Sequence, residues 1–159
     1  MKTVGCVIKF LPAASRSIAA QRAVEINPLN ADAPSARRRT AGGLDVQTAA
    51  LSLVVGRYWG AAGVRLTVGF MDNPPADLRA RILSHMNAWS NHCNVQFAEI
   101  ASSSDADVRI ARVVGGENGG YWSWLGTDIQ EVPRNEATMN LEGFTMNTPD
   151  SEFYRVVRH

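Results

Sequence analysis

Val64-Arg65-Leu66-Thr67-Val68-Gly69-Phe70, running into Met71-Asp72-Asn73-Pro74-Pro75-Ala76-Asp77-Leu78, is the stretch on which the fold turns. Val64, Leu66, Val68 and Phe70 alternate with Arg65, Thr67 and Gly69. That period of two gives a strand with one buried face. The chain then breaks at Asn73-Pro74-Pro75. Asn73 reads as a cap that accepts from the free amides of a starting helix, and Pro74 suits the first helical position. Asp77 sits in the first turn, where the helix dipole favours an anion. Leu78, Ile82, Met86 and Trp89 repeat at helical spacing, which predicts a helix to about His92 with those four side chains on the sheet. Asn91 and Asn94 are suitable stop residues.

Working outward, residues 95–100 and 108–113 read as two further strands, with Val95 and Phe97, then Val108 and Ile110, on their inner faces. Ser102-Ser103-Ser104-Asp105 is the loop between them, and Gly115-Gly116 and Gly119-Gly120 bracket a flexible turn. Tyr121-Trp122-Ser123-Trp124-Leu125-Gly126 and Thr138-Met139-Asn140-Leu141 read as strands as well. The order is strand, helix, then several strands. It predicts an α+β fold with a mixed twisted β-sheet and a backing helix.

Upstream, residues 13–26 are rich in alanine, with Ile18, Arg22 and Ile26 at helical spacing, and form a short predicted helix. Asn27-Pro28, Pro34, Arg37-Arg38-Arg39 and Gly42-Gly43 follow as loop signals. Residues 1–50 are therefore expected to be a loosely ordered lead-in or pro-region, and residues 51–159 the folded domain. With 159 residues, 45% of them hydrophobic, the chain can bury one core. A net charge of +1 gives no drive toward nucleic acid or an anionic membrane, and the arginine triplet reads as a solvated linker. No apolar run approaches the roughly 18 residues that span a bilayer. Lys9 interrupts the apolar start too early for a signal peptide, which leaves the compartment open. Cys6 and Cys93 are not a disulfide framework, and both a bridge and two free thiols stay open.

The final segment points to function. Thr148 suits an N-cap, Pro149 a first helical residue, and Asp150 and Glu152 the first turn. Phe153, Val156 and Val157 make an apolar stripe at i, i+3 and i+4. The helix reaches His159 with no Gly or Asn to receive its end, so it is expected to belong to a longer helix in a longer protein.

From Tyr58 onward the sequence resembles the catalytic domain of astacin-like and related bacterial metzincin zinc peptidases. The resemblance is carried by Leu66-Thr67-Val68-Gly69-Phe70, Met86-Asn87-Ala88-Trp89 and Ala106-Asp107-Val108-Arg109-Ile110. It is carried further by Gly120-Tyr121-Trp122-Ser123-Trp124-Leu125-Gly126-Thr127-Asp128-Ile129, Thr138-Met139-Asn140-Leu141 and Tyr154-Arg155-Val156-Val157-Arg158-His159. It implies that the last helix is the start of an active-site helix that continues as H-E-x-x-H-x-x-G-x-x-H. His159 would be the first ligand of a Zn2+ ion, with the general-base glutamate and two further histidines beyond it. It implies no catalytic side chain within the 159 residues. It assigns Tyr121, Trp122, Ser123, Trp124 and Leu125 to an exposed sheet edge that binds a peptide or protein substrate.

Each of these residues has a plainer reading. His159 by itself is a terminal histidine beside the apolar stripe, and the aromatics of residues 121–124 fit a core as well as an edge. His85 and His92 stand seven apart on the predicted helix, about 10 Å along it, too far to share one zinc ion. Two functions are therefore carried forward. One is a zinc metalloendopeptidase represented by an incomplete catalytic domain that is inactive alone. The other is a non-catalytic peptide-binding domain that uses its exposed edge strand.

Overall fold

The computed structural model describes residues 5–32, 56–60 and 62–158. The chain runs through β1 (Cys6–Lys9), α1 (Ala13–Ile26), β2 (Val64–Phe70), α2 (Ala76–Met86), β3 (Val95–Glu99), β4 (Val108–Ala111), β5 (Tyr121–Trp124), β6 (Met139–Leu141) and α3 (Asp150–Glu152). A π-helical turn, Phe153–Val157, continues α3. The six strands form one sheet in the order β1-β5-β6-β4-β2-β3. Every pairing is parallel except β5 with β6. The mixed sheet and α+β class expected from the sequence are the ones found.

β2 occupies the seven residues of the alternating stretch, with Leu66 and Val68 buried. It pairs with β3 on one side and β4 on the other. α2 lays Leu78, Ile82 and Met86 into the core, where they join Val108, Ile110, Leu141, Phe144, Phe153, Val156 and Val157. Fully burying side chains of this size stabilises by about 1.5–3 kcal/mol each.

Trp89 departs from the expectation and is 50% exposed. The α-helix ends at Met86 and the chain tightens into a 3-10 turn over Asn87–Asn91. At about 120° per residue instead of 100°, that turn swings position 89 off the apolar stripe. Trp89 instead donates from Nε1 to the Arg158 carbonyl at 2.9 Å.

The helix starts differ as well. Asn73 does not cap α2; it turns through a left-handed φ of 45° and Pro75 stands at the cap. Pro149 rather than Thr148 caps α3, and the Thr148 hydroxyl instead accepts from the Thr145 amide at 2.9 Å.

Residues 5–32 are tied to the body. β1 pairs in parallel with β5. α1 covers residues 13–26 as expected, but its buried residues are Ala19 and Ala23, and Ile18 is exposed. Small residues on that face let the helix lie close to the 3-10 turn Gly126–Glu131. Buried Asn30 fastens the segment: its Nδ2 donates to the carbonyls of Ala23 and Tyr58, and its Oδ1 accepts from the Tyr58 amide at 3.1 Å. The arginine triplet and the rest of residues 33–55 lie outside the described residues.

β4 is buried along its whole length, although the alternation assigned only Val108 and Ile110 inward. Arg109, on the other face, is fully buried. Its guanidinium donates to the carbonyls of Glu136 at 2.7 Å, Ala106 at 3.0 Å and Val132 at 3.0 Å. The segment leading into β6 is thereby closed over that side of the sheet.

Candidate functional site

The aromatic strand β5 lies inside the sheet and not at its edge. β6 pairs antiparallel on one side and β1 pairs parallel on the other, with Cys6 opposite Tyr121, Val7 opposite Trp122, Ile8 opposite Ser123 and Lys9 opposite Trp124. The expectation of an exposed edge at residues 121–125 is thus corrected. An extended segment of the same chain, 115 residues upstream of its partners, already occupies the edge hydrogen bonds.

The surroundings of β5 fix its side chains individually. Tyr121 meets Phe144 edge-on at 5.6 Å, and burial, with Glu152 adding to it, pushes its phenol pKa up. Trp122 is nearly buried, and its Nε1 donates to the Asn118 carbonyl at 3.0 Å. Ser123 and Trp124 line an apolar cavity of about 230 Å³, together with Trp59, Met86, Trp89 and Val157. Beyond Leu125 the chain turns through Gly126, whose φ of 50° and close approach to the Arg57 carbonyl leave no room for a Cβ. Asp128 behind it is buried against Arg57; burial pushes its carboxyl up while the guanidinium pulls it back.

The loop that enters β5 is held from β6. Asn140, fully buried, accepts from the Val113 amide at 2.8 Å and donates to the carbonyls of Val113 and Gly120. The Glu142 carboxylate accepts from the amides of Gly115 and Gly120, both at 2.7 Å. These two residues close the base of the glycine-rich loop, a role that neither spacing nor composition announced.

The final helical segment packs Phe153, Val156 and Val157 into the core, as its stripe predicted. His85 lies against it, 5.0 Å from the Phe153 ring and 5.2 Å from that of Tyr154, with Nδ1 accepting from Arg158 Nε at 3.2 Å. Burial and the two cations Arg158 and Arg81 hold its imidazole below the ordinary value of 6.5. His92 sits beyond the end of the 3-10 turn. Cys6 and Cys93 are exposed free thiols.

His159 lies outside the described residues. Among the described residues, no three His, Cys, Asp or Glu side chains come together as a metal set. They do not by themselves fit a catalytic zinc ion, which takes three protein ligands and a water. No helix among them is long and apolar enough to cross a membrane.

No family model matches the chain, and no curated protein matches it. Two solved structures of myroilysin do. One is 32% identical over 65% of this chain, with a TM-score of 0.57, and the other 30% identical over 65%, with a TM-score of 0.54. The chain spans 42% and 47% of their lengths. The likeness supports a metallopeptidase-like fold.

Proposed function

We propose that this chain is the sheet-bearing front of a zinc-dependent metalloendopeptidase domain of the metzincin, astacin-like kind. His159 is proposed as one zinc ligand. The remaining ligands and the general-base glutamate would come from sequence outside these 159 residues, so the chain alone hydrolyses no peptide. The observation that carries the reading is the likeness to myroilysin at 30–32% identity over 65% of this chain.

Within that reading, Tyr121, Trp122, Ser123, Trp124 and Leu125 are the substrate-binding strand. An extended peptide adds to such a strand through its backbone hydrogen bonds, and side-chain pockets supply selectivity. The chain's own β1 occupies that position. Residues 5–10 would then act as a strand that a substrate must displace, which accords with the lead-in being a pro-region. A second reading, a peptide-binding domain without catalysis, is favoured by the same β1–β5 ladder, since that ladder needs no metal.

The coding sequence downstream of codon 159 separates the two. An open frame continuing with a glutamate and two further histidines supports the peptidase, and a stop codon supports a pseudogene product or the binding domain. The protein-level test measures hydrolysis of a fluorogenic peptide by the 159-residue chain with zinc and then with chelator. No cleavage is expected. Chelator-sensitive cleavage would overturn the assignment of the missing ligands and base.

A further inference from the structure

β1 is buried in the opposite sense to its sequence. Val7 is 59% exposed and Ile8 41%, while Lys9, the one charged residue of the strand, is half-buried. Apolar burial therefore does not hold this strand to β5; its backbone ladder and Lys9 do. The Lys9 ammonium stands 3.6 Å from the centroid of the Trp122 ring and donates to Asn118 Oδ1 at 3.2 Å. The ring is itself fixed, because Trp122 Nε1 donates to the Asn118 carbonyl. The loop that carries Asn118 is closed at its base by Asn140 and Glu142. The lysine thus enters a groove of about 710 Å³ whose walls include Trp122, Trp124, Asn118, Asp72 and Glu136. Asp72 is paired with Arg112 at 2.7 Å, and Glu136 lies within the field of the Arg109 guanidinium.

We propose that Trp122 and Asn118 form a cation-selective subsite for an extended peptide lying on β5, and that Lys9 fills it in cis. The proposal rests on the reading of β5 as a peptide-binding strand. The ligand is a peptide in extended conformation with a lysine or arginine side chain opposite Trp124. An aromatic face attracts a cation through its quadrupole, and the side-chain Oδ1 of Asn118 supplies an acceptor that a neutral side chain of equal length cannot use. Arginine is expected to serve as well as lysine, because guanidinium stacks on indole.

Two measurements on the full chain test this. The first follows hydrogen exchange of the β5 amides in the variants Lys9→Met and Lys9→Arg. Lys9→Met keeps the apolar stem and loses the charge; it should speed exchange by about five-fold, the factor a partly desolvated cation–π contact supports. Lys9→Arg should leave protection near the parent value. Equal protection in all three chains would overturn the proposal. The second measurement uses Lys9→Glu, which empties the subsite, and titrates in synthetic peptides copying residues 5–10 with serine in place of the cysteine. These differ only at the fifth residue, which is lysine, arginine, norleucine or glutamate, and binding is read from tryptophan fluorescence. The lysine and arginine peptides should bind about five-fold tighter than the norleucine peptide. Asn118→Ala, a change in an exposed loop, and Trp122→Phe should each shrink that preference. If all four peptides bind equally, the subsite is wrong while the peptide-binding strand stands. If none binds even at millimolar concentration, the strand reading fails and the subsite with it.

Discussion

Arg109→Met removes the guanidinium while keeping a side chain of comparable length in a fully buried position. The two shortest contacts of the parent residue that have no other donor are those to the carbonyls of Glu136 and Val132. The Ala106 carbonyl is served twice, since Arg134 Nη1 also donates to it at 3.1 Å. Methionine therefore leaves at least these two carbonyls without a partner, at about 1–3 kcal/mol each, besides the longer contact to the Asp107 carbonyl at 3.4 Å. Relief from burying a cation offsets part of that loss, since burial already holds the guanidinium pKa below its ordinary value. The expected net destabilisation is about 2–4 kcal/mol, read as a fall in the urea midpoint at unchanged slope. Arg134→Ala alone should cost less than about 1 kcal/mol, because Arg109 still serves Ala106. The double variant should lose more than the sum of the two, since the Ala106 carbonyl then has neither donor. A loss below about 1 kcal/mol for Arg109→Met would refute the reasoning, because water or a rearranged segment 132–136 would then be satisfying those carbonyls equally well.

Ile82→Ala should cost about 2–5 kcal/mol in thermal or urea melts, while Trp89→Ala should cost less than about 1.5 kcal/mol, because only half of that ring is covered. Asn140→Leu should cost about 1–3 kcal/mol and make the amides of residues 113–120 exchange faster, since the base of the loop loses three hydrogen bonds. Stability should fall as the pH drops below about 6.5: His85 has a lowered pKa when folded, so the unfolded chain takes up its proton first. His85→Phe keeps the stacking on Phe153 and Tyr154 and should remove that part of the pH dependence, checked by melts between about pH 5 and 8.

Where a segment carries its own periodicity, its structure was legible. β2 matches its alternating residues one for one, and Leu78, Ile82 and Met86 point inward because an α-helical period puts them there. The same period failed at Trp89, where a change from α to 3-10 geometry leaves no mark in hydrophobic spacing. α1 was found at its residues but not by its face, because an alanine helix can present its small residues to a close neighbour while its isoleucine stays outside. Nothing local marks Cys6–Lys9 as a strand: four residues carry no readable alternation, and the partner lies beyond residue 120. Arg109 was hidden for a related reason. Its burial depends on a later segment, residues 132–136, folding over the sheet. For the candidate site, the aromatic strand could be singled out from its residues, but what lies beside it could not.

The pairing of β1 with β5 joins residues more than a hundred positions apart, while β2, β3 and β4 are brought together by much shorter connections. Contacts that close long loops gain their energy only after most of the entropy has been lost, so they form late. β1 has four residues, two of its apolar side chains in water, and pairing on one side only. Strands of that kind open at much less than the cost of global unfolding. The molecule thus has a seam: its last strand to assemble is its first to leave, and departure exposes the backbone of Tyr121–Trp124 while the core around Ile82, Ile110 and Phe153 stays intact. Proteolytic sensitivity of residues 5–10 and the accessibility of that strand should accordingly rise and fall together, at denaturant concentrations well below the global midpoint.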